Sequence, residues 1–328
     1  MQTISVNQTV TRGVTNLYEG VEVIKNSNNV QMETVNTSTE TLPSYTVSIS
    51  DNTKITYGDE TDNVQIDIEE TEALAPTATT YSAQEYQSKL LDMGFYSGPL
   101  DGNLSSDAMI PAIKGFQKLY GCSVTGTIDS NTSAKLTVEH RRYTETLNSD
   151  GLNTIASQLY LDYTQKRYFA MTWTFLRDKM GLTIAQTAGV IGNIYAESAI
   201  VPNNAADSDY PGKYNSDYTY IVEEKDEDLV AYGLIQWKER SRKEALLEAF
   251  KEDRYATTNI LPPSNINTQL AMIEYEANNT YKTAWTNLKK CTTAASAAQV
   301  FMSEFEQCGS ESLSARVNYA NIIYNAMV

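Results

Sequence analysis

Histidine is almost absent: of 328 residues, only His140 carries an imidazole. That excludes a Ser-His or Cys-His nucleophilic site anywhere away from residue 140. It also argues against a zinc amidase or peptidase, whose metal is held by two or three imidazoles. His140 stands in the basic string His140-Arg141-Arg142, read as an exposed, non-catalytic connection. Cysteine is scarce too. Cys122, Cys291 and Cys308 are too few and too scattered for a metal cage or a disulfide framework. Cys291 and Cys308 flank one predicted helix, which makes a pair conceivable, but free thiols are the expectation. No cofactor and no metal are expected.

Positive charge is in deficit as well. Lys and Arg total 25 against 41 Asp and Glu, a formal charge of −16 that removes any electrostatic grip on nucleic acid. The acids cluster at Asp51 to Glu72 and at Glu223 to Asp228, both read as solvated loops. No run approaches the ~18 apolar residues of a membrane span. Met1-Gln2-Thr3-Ile4-Ser5 lacks the basic start and apolar core of a signal peptide, so any export is expected to use another route.

What the chain does have is tyrosine, 22 in all, with 3 Trp and 7 Phe. Amphipathic rings suit a surface that meets sugar, although any single Tyr is first a core residue. Residues 1–78 are rich in Thr, Asn, Ser and Val. Alternation at Tyr45 to Ser50 and Asn63 to Ile68 predicts short strands, in a segment that is either β-rich or partly disordered. Ala73 to Thr80, small and hydroxyl residues around Pro76, reads as a linker.

Residues 79–140 change to three short helices. Gly94 stops the first, Gly98-Pro99-Leu100-Asp101-Gly102 makes a tight turn, and Ile110, Ile113, Phe116, Gln117 and Tyr120 follow at helical spacing. Leu91 to Gly102, Ala112 to Gln117 and Val124 to Asp129 together resemble the three-helix peptidoglycan-binding domain. Most of that motif is structural, and Phe116 reads as core. The resemblance nevertheless makes Asp101 and Phe116 the candidate wall-contact residues. Where family members carry Phe-Gly after the Asp-Gly turn, this chain has Leu104-Ser105.

Residues 141–165 read as a linker helix, and 166–328 as a compact all-α domain. Trp173, Phe175, Leu176 and Met180 form an apolar stripe ended by Gly181, and Thr183 caps a helix running to Glu197. Gly189 and Gly192 bare that helix for close packing, so that its last turn delivers Glu197 to a cavity edge. Beside Tyr195, Trp237 and apolar walls, a carboxyl is expected to stay protonated near neutrality as a general acid. Later helices are predicted around Glu239 to Phe250, Asn267 to Asn278, Tyr281 to Lys290, Ala294 to Phe305 and Leu313 to Met327.

The string Gly192-Asn193-Ile194-Tyr195-Ala196-Glu197-Ser198, followed by Tyr232-Gly233-Leu234-Ile235-Gln236-Trp237, resembles the phage tail-type lysozyme family, part of the lysozyme-like fold. The resemblance implies a mainly α protein with a C-terminal lysozyme-like domain. It implies cleavage of the β-1,4 bond between N-acetylmuramic acid and N-acetylglucosamine, with Glu197 as the acid and bacterial peptidoglycan as the partner. Ser198, Tyr232, Gln236 and Trp237 become candidate substrate contacts, Trp237 offering a flat face and Gln236 both a donor and an acceptor to an acetamido group.

The second carboxylate is sought in Val201 to Ala231, where Asp207, Asp209 and Asp217 are candidates and Asp207 is first by nearness in sequence. Without one, Glu197 works alone and the substrate's own hydroxyl attacks, as in lytic transglycosylases. The alternative is a non-catalytic wall-binding or particle assembly protein on the same scaffold. Delivery is expected as a phage-borne, injected or lysis-released product, with residues 1–78 as a docking segment for particle components.

Overall fold

The computed structural model describes residues 81–206, 231–253, 255–257, 259–308 and 312–328, together with strand backbones between residues 3 and 56. It forms two compact units, Met1–Ala75 and Pro76–Val328. In the first, six short strands pair antiparallel in nested order: β3 (Val21–Asn26) with β4 (Asn29–Thr34), β2 (Thr9–Gly13) with β5 (Ser44–Ser48), and β1 (Thr3–Ser5) with β6 (Lys54–Thr56). The alternation at Tyr45 falls on β5, as expected. The one at Asn63 to Ile68 lies outside the described residues.

The second unit is helical, which makes the described chain mainly α. Ser82 and Glu85 form a capping box that starts α1 (Ala83–Asp92). Next come α2 (Met109–Leu119) and α3 (Ser130–Leu147), the last capped by Asp129. Two buried glutamines hold the turns between them. Gln87 donates to Asp101 Oδ1 at 2.7 Å and accepts from Gly102 N at 2.8 Å. Gln117 accepts from Thr125 N and Gly126 N, both at 2.9 Å, and donates to Thr127 O at 2.8 Å. Each glutamine, itself buried, satisfies backbone groups of a surface turn and so ties that turn to the core.

The carbonyl end of α1 is taken by side chains of the domain that follows. Arg167 donates to Leu91 O at 2.7 Å and Asp92 O at 3.0 Å, Asn267 to Met93 O at 3.0 Å, and Asn265 to Gly94 O at 2.8 Å. Helix α3 runs on through His140 to Leu147. His140 is therefore not the exposed connection expected from its basic neighbours: it lies half-buried on a helix, 3.0 Å from Asp92 Oδ2. After it come α4 (Asp150–Leu159) and α5 (Tyr163–Thr174), the latter continued by a π-helical turn, Phe175–Lys179.

The predicted apolar stripe Trp173, Phe175, Leu176 and Met180 is buried, and Gly181 ends it at φ +68°. Helix α6 (Ile184–Ser198) follows, then the two-residue strands β7 (Ala205–Ala206) and β8 (Ala231–Tyr232), which pair antiparallel. The remaining helices are α7 (Arg240–Leu246), α8 (Ile266–Asn278), α9 (Lys282–Leu288), α10 (Ala294–Val300) and α11 (Leu313–Met327), with a π-helical segment Phe301–Glu306 prolonging α10. Among the described residues, no helix is long and apolar enough to cross a membrane. The three cysteines are free thiols.

Candidate active site

Helix α6 is the spine of the site. Thr183 and Gln186 form its capping box, as the sequence predicts for Thr183. Its glycines are contact points. A Cβ at Gly189 would lie 2.5 Å from Ala297 Cβ and 2.7 Å from Ala298 N; one at Gly192 would lie 2.7 Å from Ala320 N. Only bare backbone lets α10 and α11 approach this closely, and the helix is consequently buried almost to its end. Glu197, in the last turn, keeps 19% of its side chain exposed. Two successive non-glycine residues in the left-handed region, Ala199 (φ +51°) and Ile200 (φ +65°), then turn the chain away.

The two strings singled out in the sequence meet at Ser198, whose hydroxyl donates to Leu234 O at 2.9 Å. Tyr232 and Trp237 close the second string into a tight loop by mutual backbone bonds of 3.1 and 2.9 Å. Gly233, at φ +84°, leaves room for Gln269, whose Oε1 accepts from Leu234 N at 2.8 Å. Gln236 also sits at positive φ, +53°. Its Nε2 donates to Gly233 O at 2.8 Å and Asn204 O at 3.2 Å, which leaves Oε1 buried and unpartnered among the described residues. With both amide hydrogens used, Gln236 can offer a ligand only an acceptor, not the donor and acceptor expected.

Several expected contacts are buried. Trp237 is fully buried and donates Nε1–H to Glu276 Oε2 at 3.1 Å, so no face of its ring is available to a sugar. Arg242 grips the same carboxylate at 2.6 and 2.8 Å. Tyr232 is buried at the base of the loop, and burial pushes its phenol up. Phe116 packs edge-on to Phe95 with ring centroids 5.6 Å apart, fully buried inside the core. Asp101 stays exposed in its turn, its carboxyl held below the usual range first by the hydrogen bond from Gln87 and next by Asn103 N–H. Asp207, with Asp209 and Asp217, lies outside the described residues.

Glu197 does not face the apolar walls expected for it. Its Oε1 accepts from Arg316 Nη2, while Tyr195 sends its hydroxyl to Leu159 O at 2.7 Å. The Arg316 side chain is 5% exposed and makes three further bonds: Nη1 donates to Glu306 Oε2 at 2.7 Å and to Asn193 Oδ1 at 2.9 Å, and Nε to Ser312 Oγ at 2.8 Å. Asn193 is fixed in turn by its donations to Gly189 O at 2.8 Å and Ala298 O at 3.0 Å.

The side chain of Glu306 is only 3% exposed. Burial pushes its carboxyl up to about 8; the Arg316 charge works against this and the Glu197 charge with it. Cys308 Sγ stands 3.7 Å from Glu306 Oε2, and its thiol is raised to about 11, first by burial and then by Glu306. Ligand-type atoms of Glu197, Glu306 and Cys308 all lie within 4.8 Å of one another, but the positive charge among them is that of Arg316.

Asn193, Glu306 and Arg316 are the site residues that reading the sequence did not assign. One signal was present for Arg316: with Ala320 and Ile323 it forms the i, i+4, i+7 face of α11, so it is an arginine in line with a buried stripe. Glu306 gave none, because a π-helical turn carries it there.

Residues 169–327 match the family model of the phage tail lysozyme, and residues 81–136 that of the peptidoglycan binding domain. No curated protein and no solved structure matches the chain. Glu197, the Tyr232 to Trp237 loop, Glu306 and Arg316 fall in the first range; Asp101, Phe116 and both clamping glutamines fall in the second. The C-terminal helical domain thus belongs to the phage tail lysozyme family, and the three-helix domain before it to the peptidoglycan binding domain family.

Proposed function

We propose that this chain is a peptidoglycan hydrolase that cleaves the β-1,4 bond between N-acetylmuramic acid and N-acetylglucosamine, with Glu197 protonating the glycosidic oxygen. The observation that carries this reading is the junction at Ser198. A part-exposed carboxyl at a helix end and a loop with an unpaired amide acceptor are tied together by the Ser198–Leu234 bond, within a lysozyme-family domain. A glycosidic oxygen is a poor leaving group until protonated, and general acid help contributes roughly 10²–10⁴-fold.

Glu306 is close enough to Glu197 to suggest a nucleophilic partner of the retaining kind, for which carboxyls stand about 5–5.5 Å apart. It is 3% exposed and hydrogen-bonded to Arg316, which keeps it from a sugar ring. The residue proposed to activate water is Asp207, with Asp209 and Asp217 as alternatives; failing these, the substrate hydroxyl attacks and leaves an anhydro end. Wall glycan would also be held by the peptidoglycan-binding domain through its Asp101 turn. The chain would act on the bacterial cell wall as a phage-borne, injected or lysis-released product, with residues 1–78 docking to particle components.

One observation favours a second reading. A carboxylate already paired with arginine suits a wall-binding scaffold that no longer cuts. Clearing of purified cell wall by the full chain and by Glu197→Gln separates the two: loss of clearing in the variant supports the enzyme, and equal, negligible clearing sinks it. Mass spectrometry of released fragments then distinguishes a reducing from an anhydro end.

A further inference from the structure

An acid that must donate a proton is here paired with a permanent cation, and the cation is shared. Glu197 and Glu306 both accept from Arg316. With both carboxyls ionised the group would carry one uncompensated negative charge around two side chains that are 5% and 3% exposed, an arrangement that low-dielectric surroundings disfavour. One added proton brings the sum to zero. Glu306 has a place for it, since Oε2 takes Arg316 while Oε1 is buried and unpartnered among the described residues.

The other charged or titratable groups that face Glu306 do not alter this count. Arg242, across the Phe305 ring, is already neutralised by Glu276, and the raised Cys308 thiol stays uncharged.

We propose that Glu306 is a positioning residue that stores the proton of the site, Arg316 compensating whichever of Glu197 and Glu306 is ionised. In the free protein Glu306 is protonated and Arg316 neutralises the Glu197 carboxylate. As glycan settles over Glu197, the O–H bond of Glu306 breaks and its proton passes to the Glu197 carboxylate, which has an oxygen within 4.8 Å of one of Glu306. The O–H bond of Glu197 forms, and Arg316 settles on the new carboxylate of Glu306. No electron changes hands, and Glu197 is then the neutral acid that cleavage requires. This rests on the lysozyme reading of Glu197. The raised carboxyl of Glu306 agrees with it.

The test is the pH–rate profile of wall solubilisation by the full chain, compared with Glu306→Gln and Glu306→Asp. The Gln variant removes the store and leaves Arg316 with Glu197 alone. It should lose at least tenfold in kcat at pH 7 with KM for wall little changed, and its alkaline limb should move at least one pH unit downward. The Asp variant should restore much of both. A Glu306→Gln profile that overlays the parent overturns the proposal.

A measurement on the unmutated protein guards against a misfolded variant. Carboxyl-labelled NMR should show one glutamate titrating well above the ordinary range, and downward movement of that titration in Glu197→Gln. If every glutamate titrates in the ordinary range, the proposal fails. Should Glu197→Gln still clear cell wall, the lysozyme reading falls instead, while the NMR titration still decides whether Glu306 holds a proton.

Discussion

Asn193 accepts from Arg316 Nη1 at 2.9 Å, one helical turn before Glu197, so α6 holds both the acid and the residue that aims its cation. Removing Asn193 strips a buried guanidinium of an acceptor and takes the side-chain bonds from the carbonyls of Gly189 and Ala298. We expect Asn193→Ala to lose about 2–3 kcal/mol of stability, the scale of buried hydrogen bonds to charged groups. Urea denaturation would measure it.

The glycine face of α6 is tested by Gly189→Ala. The added methyl meets Ala297 Cβ at 2.5 Å and backbone at 2.7 Å, with no flexible side chain to yield. Overpacking of this kind costs about 1–3 kcal/mol, which outweighs the helix propensity gained. A lowered denaturation midpoint with unchanged slope is the expected result.

Trp237 gives a sharper contrast, because a sugar platform and a buried strut respond differently to substitution. Trp237→Phe should leave wall affinity within about twofold, yet lose about 1–2 kcal/mol through the missing Nε1–H bond to Glu276 and the smaller ring. Pull-down on purified cell wall, paired with a denaturation curve, reads both. A large loss of affinity without loss of stability would return Trp237 to the surface role.

Stability should also depend on pH through Glu306. Its folded carboxyl is raised to about 8, whereas the unfolded chain titrates near the ordinary value of about 4.3. In that window the native state binds more protons than the unfolded state, so the contribution from Glu306 is fully present below the unfolded value. It is lost as pH rises through the folded one. Thermal melts from pH 5 to pH 9 should fall more steeply for the parent than for Glu306→Gln, and the difference between the two curves isolates this group.

The contact between the two helical domains makes a further prediction. Arg167 caps the carbonyl end of α1. Arg167→Ala should raise amide exchange across residues 83–95 several-fold while exchange in α6 is unchanged, read by hydrogen–deuterium exchange.

Much of this protein is legible from residue order alone, because the signals are local. Thr183 before an apolar helix, Gly94 and Gly181 at helix ends, and the stripe from Trp173 to Met180 all follow from short-range capping and periodicity, and all appear as expected. Each of the two strings that mark the lysozyme-type domain is a short unbroken run, and the motif of the three-helix domain is three such runs close together in the chain. What the sequence could not supply is the surroundings of each marked side chain.

Trp237 looks like a sugar platform until burial and Glu276 claim it. Glu197 looks like a carboxyl among apolar walls until Arg316, more than a hundred residues later, is packed against it. Glu306 has no meaning at all until a π-helical turn and the crossing of α6 and α11 bring it to the same guanidinium. Helix starts and stops are set by neighbours in the chain, so the sequence determined them. The charge balance at Glu197 depends on which distant side chains share one desolvated space, and only the tertiary packing decided that.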